Sequence, residues 1–117
     1  MKQKISKIPN PVVELSSLED FKPFDGFKAK LVHTKTQTYA FWEIKKDSVL
    51  PGHQHINEQV SIVTKGVLEL TIGDTTTEMK PGMVAVIPPN TYHSGRALSD
   101  VEITDIFSPI REDFPQN

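Results

Sequence analysis

Pro51-Gly52-His53-Gln54-His55-Ile56-Asn57-Glu58-Gln59 begins the stretch that decides the fold. It runs on through residues 58–64, Lys65-Gly66 and residues 67–72. Residues 58–64 and 67–72 are short, rich in Val, Ile, Leu and Thr, and bounded by turn residues, which is the pattern of strands. Lys65-Gly66 reads as a tight hairpin turn between them. On either side the pattern continues. Residues 27–34 and 38–44 read as two strands joined by a polar link at residues 34–37. Gly73-Asp74 turns the chain into residues 75–79, and Pro81-Gly82 precedes residues 83–87. Pro88-Pro89-Asn90 ends that run, and residues 101–107 form the last clear strand. Residues 12–15 read as a first strand, and residues 16–20 as a helical turn with a weak capping signal from Ser16 and Glu19. The tail after Pro109 is charged and reads as loop. Helix has almost no room, so the chain is all-β. Periodicity alone leaves sandwich, open barrel and closed barrel undecided.

The 117 residues are enough for a single domain spanning 1–117. With no cysteine, disulfides, thiolate metal sites and cysteine nucleophiles are excluded. Formal net charge is −2 with both signs interspersed, so no basic block offers itself to nucleic acid. Residues 1–10 carry Lys2, Lys4 and Lys7 and read as a solvated, flexible arm. Pro9, Asn10 and Pro11 follow where a signal peptide would have its apolar region. No stretch approaches the roughly 18 apolar residues of a membrane span. The expectation is a cytoplasmic protein without a membrane partner.

Two of the four histidines, His53 and His55, stand as His-x-His. In a strand, residues two apart point to one face, so both imidazoles can reach one ion. Gly52 before them relieves crowding. Gln59 lies at an even offset, and His93 follows the Pro88-Pro89-Asn90 turn. Three imidazoles and an amide oxygen suit one divalent transition metal ion, with Ni, Zn, Fe, Mn and Co all acceptable. Glu58 is the rival for the fourth position, although it has the opposite parity. His33 stands apart and reads as a strand-end or surface histidine.

The spacing His53-x-His55-x3-Gln59-x6-Gly66, followed by Gly82-x5-Pro88-x-Asn90-x2-His93, resembles both sequence motifs of the cupin superfamily. Asn90 replaces a glycine, a mild exchange because Asn tolerates positive φ better than most residues. Gln59 stands where most of the superfamily has Glu. An amide leaves a divalent site at +2, so the bound ion would be a stronger Lewis acid. The resemblance implies a cupin-type antiparallel β-barrel, the double-stranded β-helix or jelly roll.

Residues 52–114 further resemble the pectin-degradation cupins of the KdgF type. The carriers are His53-x-His55-x2-Glu58-Gln59, Ile87-Pro88-Pro89-Asn90, and Asp105-x-Phe107-Ser108-Pro109-x-Arg111-Glu112-Asp113-Phe114. This implies a metal-dependent enzyme that opens the ring of 4,5-unsaturated monouronates to linear 4-deoxy-5-keto uronates. It also implies active-site roles for Asp105 and Phe107, a small sugar-acid substrate, and a homodimer. The residues add support of their own. Asp105 interrupts the apolar row Val101, Ile103, Phe107, where a carboxylate needs a partner, a cation or a proton. Arg96 and Arg111 are the only arginines, and a guanidinium fork matches a uronate carboxylate. Arg96, three residues past His93, either sits at the site mouth or is a solvated loop arginine; Arg111 either binds substrate or pairs within the tail. Tyr39, Phe41 and Trp42 are expected in the core or lining the barrel, and Tyr92 in packing. Two alternatives stand beside this reading: a metal-dependent dioxygenase, and a cupin that binds a small ligand without catalysis.

Overall fold

Strict alternation of inward and outward side chains builds most of the computed structural model, which describes residues 11–116. Nine strands form: β1 (Phe27–His33), β2 (Thr38–Ile44), β3 (Val49–His53), β4 (Glu58–Lys65), β5 (Leu68–Ile72), β6 (Thr75–Met79), β7 (Val84–Ile87), β8 (His93–Ala97) and β9 (Val101–Ser108). They make two antiparallel sheets, ordered β1-β2-β9-β4-β7 and β3-β8-β5-β6. This is the expected all-β jelly roll. The arm expected at residues 1–10 lies outside the described residues.

The core is the set of inward residues from both sheets, among them Leu31, Trp42, Val63, Leu70, Ile87, Ile103 and Phe107. Each such side chain contributes about 1.5–3 kcal/mol by leaving water. Among the described residues no helix is long and apolar enough to cross a membrane.

Two local expectations change. Residues 12–15 form no strand; the chain makes a short 3-10 turn at Leu15–Ser17 instead. Lys65-Gly66 is not a hairpin turn, because β4 and β5 belong to different sheets. Gly66 has φ +80°, and a Cβ there would lie 2.0 Å from the Asp100 carbonyl oxygen, so the crossover requires glycine. Two strands also go unread in the sequence. β3 contains Pro51 and Gly52, which weaken a strand pattern but are tolerated at the edge it occupies. β8, His93-Ser94-Gly95-Arg96-Ala97, has little intrinsic strand preference. Pairing with β3 and β5 on its two sides makes it a strand.

Candidate metal centre and cavity

His53 and His93 are directly opposite in the β3–β8 register, so the two sequence motifs meet there. His55 lies in the loop after β3. The Asn90 N–H donates to the His55 carbonyl at 2.7 Å, tying that loop to the turn before His93. Asn90 has φ +58°, the left-handed backbone its glycine-like position calls for. Gly52 leaves room for Tyr92: a Cβ on Gly52 would lie 2.1 Å from the Tyr92 hydroxyl oxygen. The crowding Gly52 relieves is thus the Tyr92 ring, and Tyr92 is a packing residue, half-exposed.

Each of the three histidines directs Nδ1 at a backbone carbonyl: His53 at Pro51 (3.0 Å), His55 at Asn57 (3.0 Å) and His93 at Thr91 (2.8 Å). A carbonyl only accepts, so each Nδ1 carries a proton, and in a neutral ring Nε2 then keeps its lone pair. One ring nitrogen from each histidine can be chosen so that all lie within 4.8 Å of one another. Nε2 of His93 is buried without a hydrogen-bond partner. Burial lowers the His93 pKa to about 4 and lowers that of His55 as well. Both rings therefore stay neutral near pH 7. Neutral, convergent imidazoles with Nδ1 anchored are what a divalent transition metal needs. The three histidines could hold such an ion.

Gln59 points inward from β4 and is buried, and its Oε1 lies 3.0 Å from Nε2 of His55. Two lone-pair atoms facing each other at that distance fit two donors to one cation. Glu58 faces outward and is exposed, as its parity requires. From Gln59 a chain of hydrogen bonds runs along the inner face of the sheet. Gln59 Nε2 donates to Ser61 Oγ at 3.0 Å, and Ser61 Oγ donates to Asp105 Oδ1 at 2.6 Å. Side-chain hydrogen bonds from Gln59 and Trp42 also reach Asp105. Protein surrounding the carboxyl raises the Asp105 pKa to about 6, a rise that these hydrogen bonds oppose.

His53, His93, Gln59, Ser61 and Asp105 line part of a cavity of about 380 Å³. The rest is mainly apolar: Phe21, Phe24, Phe27, Trp42, Leu68 and Phe114 are among its walls. Phe107 is buried and meets His55 edge-on at 5.6 Å. The Arg111 guanidinium lies 4.7 Å from the Phe107 ring centroid and 4.0 Å from that of Phe114. Its Nε and Nη2 form a fork on Asp113 at 2.9 and 2.8 Å, so within the tail it has a carboxylate partner. The Arg111 pair holds the Asp113 carboxyl below its usual range.

Arg96 does not reach the site. It faces outward from β8, exposed, 3.8 Å from Glu69. An offset of three residues from His93 means opposite faces in a strand, which is the reason for the correction. Tyr39 and Phe41 are also misplaced by the expectation. They stack, centroids 6.5 Å apart, on the outer face of the sheet, and only Trp42 points into the barrel. His33 ends its strand but is not at the surface. Its Nε2 donates to the Pro115 carbonyl, and its Nδ1 meets Thr38 Oγ1, both at 2.8 Å. Thr38 Oγ1 also accepts the Arg111 N–H at 2.8 Å. The charged tail is thereby docked as a cavity wall. Ser61, Asn57 and this tail anchorage are parts of the site that sequence reasoning missed. Ser61 carried a signal, because it shares the parity of Gln59 in β4.

The fold, the two histidine motifs and their convergence define the class, and the cupin-domain family model matches residues 40–107. The chain belongs to the cupin family. Within it, the chain resembles KdgF from Halomonas sp., at 27% identity over 84% of this chain and 94% of that one, with a TM-score of 0.78. An RmlC-like cupin from Shewanella frigidimarina shares the fold at 21% identity, over 89% of this chain and 95% of that one, with a TM-score of 0.83. H2HPP isomerase of Bacillus subtilis is 40% identical over 55 residues. That match spans 46% of this chain but only 23% of the relative.

Proposed function

We propose that this chain is a metal-dependent cupin enzyme that opens 4,5-unsaturated monouronates to linear 4-deoxy-5-keto uronates. The observation that carries the proposal is the placement of Asp105. It is a surrounded carboxyl with a pKa near 6, joined through Ser61 and Gln59 to three histidines with convergent lone pairs. His53, His55, Gln59 and His93 would hold one divalent ion, and Ni, Zn, Fe, Mn and Co all suit these donors. When bound, that ion supplies positive charge where an enolate oxygen develops.

The reaction is an isomerisation and needs no co-reactant. The C1 hydroxyl loses a proton as the bond from C1 to the ring oxygen breaks, leaving an aldehyde at C1 and an enolate oxygen on C5. A proton delivered to C4 then converts the enol to the C5 ketone. Asp105, half-protonated near pH 6, is suited to move that proton. Phe107 and Phe114 line the cavity and would hold Arg111 beside the sugar. Arg111 is proposed to meet the substrate carboxylate by exchanging it for Asp113, an exposed partner that water can replace. The relatives support the class: one is KdgF and another an isomerase.

The largely apolar cavity wall favours a second reading, isomerisation of a carboxylic acid with an apolar body by the same proton carrier. Incubation of the metal-loaded protein with unsaturated uronates from pectin and from alginate, followed by NMR, decides. New aldehyde and keto-uronate signals are expected. Conversion of carboxylic acids with an apolar body alone would select the second reading. Oxygen uptake would mark a dioxygenase, and a raised melting temperature with no new species would mark a binding protein.

The homodimer expected from the resemblance is also a proposal. Its support is the apolar outer face of the five-stranded sheet, where Val84 and Val86 are each 57% exposed.

A further inference from the structure

We propose that Ser61 is a positioning residue that fixes the Gln59 amide with its oxygen toward the three histidines, and so sets the fourth ligand of the metal centre. This rests on Gln59 being that ligand. An amide is nearly symmetrical in shape but not in chemistry: one end accepts, the other donates two protons. Turned the wrong way, Gln59 would donate to Nε2 of His55 and occupy the lone pair a metal needs. The neighbours that distinguish the two orientations therefore decide whether Gln59 assists the ion or blocks it.

Ser61 makes that distinction with its single proton. Ser61 is 1% exposed, and its hydroxyl donates to Asp105 Oδ1 at 2.6 Å, within the range of a charge-assisted bond. With its proton committed there, Oγ has only lone pairs to offer the amide 3.0 Å away. The amide must turn its nitrogen to Ser61 and its oxygen to His55, also at 3.0 Å. Strand geometry maintains the arrangement. Gln59 and Ser61 share one face of β4, and Ser61 and Asp105 are register partners across β4 and β9. A carboxylate at position 59 would need no such device, since both of its oxygens can ligate. Ser61 is thus the counterpart of having an amide at that position.

The test is a competition titration of Zn²⁺ against a chromophoric chelator, with circular dichroism melts to verify folding. Ser61→Ala should weaken Zn²⁺ binding by about tenfold, the low end for partners that orient a ligand. In a Gln59→Glu background the same change should stay within about twofold, because the orientation no longer matters. Ser61→Thr and Ser61→Val have one shape and differ in the hydroxyl. Only Ser61→Val should lose affinity, and this pair serves if the alanine variant melts early. Equal losses in the Gln59 and Gln59→Glu backgrounds would overturn the proposal in favour of packing. Unchanged affinity in Ser61→Ala, with a loss in Gln59→Ala, would overturn it while leaving Gln59 as a ligand. Unchanged affinity in Gln59→Ala would overturn both.

Discussion

The five-stranded sheet presents two faces built by opposite exceptions. Its inner face carries Gln59, Ser61 and Asp105 among Ala40, Trp42, Val63 and Ile103. Its outer face carries two largely apolar rows. Val32, Tyr39, Ile106, Val60 and Val86 are register neighbours across β1, β2, β9, β4 and β7, and beside them run Phe41, Thr104, Ile62 and Val84. A half-buried antiparallel sheet normally alternates apolar inside with polar outside. Here polar groups intrude where burial is costly, and apolar groups remain where water is accessible. Burial of polar groups is tolerated only when they are hydrogen-bonded, and the Gln59–Ser61–Asp105 chain meets that condition. Departures from the folding pattern are where function is proposed: chemistry inside, and a partner surface outside.

That contrast can be broken from either side. The largest effect is expected at the inner face. Asp105→Asn should lower uronate turnover by about 10²–10⁴-fold, the usual contribution of a positioned acid or base, with metal content unchanged. Steady-state kinetics beside elemental analysis check this, and a variant turning over at the normal rate removes Asp105 from the mechanism. On the outer face, replacing Val84 and Val86 by Lys should convert a dimer to a monomer, read by analytical ultracentrifugation. The uronate activity per chain should change little, since both residues point away from the cavity.

Smaller effects follow from the titrating groups. Asp105 has a folded-state pKa of about 6, above the ordinary aspartate value of 3.8, so the folded state takes up its proton more readily. Its contribution to stability is complete below about pH 4 and is lost as pH rises through 6. In metal-free protein, Asp105→Asn should therefore gain on the wild type between pH 4 and pH 8, by about 2–3 kcal/mol in urea unfolding. No relative gain would show that the carboxyl is not held in a costly setting. His93 has the opposite sign. Its pKa is depressed to about 4, so its contribution is present above pH 6.5 and is lost as pH falls toward 4. Because protons compete for the same lone pairs, metal release on acidification should have its midpoint below pH 6, measured by equilibrium dialysis. Release near 6.5 would mean ordinary, exposed histidines.

Much of this was legible in the sequence, and for physical reasons. Period-two alternation revealed β1, β2, β4 and β9, because each has one face on the core. The histidine motifs located the centre because their spacing reflects strand parity and a turn that Asn90 can make. Parity also favoured Gln59 over Glu58. It would have excluded Arg96, had the weak strand β8 been recognised as one. Tertiary effects were not legible. Nothing local in residues 109–116 tells that His33 and Thr38 hold the tail, or that Arg111 lies over the rings of Phe107 and Phe114. The role of Lys65-Gly66 as a crossover depends on Asp100, a residue 34 positions beyond Gly66.

The measurement that bears most directly on the account is the metal content of purified protein after dialysis against the apo buffer, by elemental analysis per chain. The account predicts about one divalent ion in the wild type and in Glu58→Ala, and almost none in His93→Ala. No bound ion in the wild type, or equal metal in His93→Ala, would contradict it.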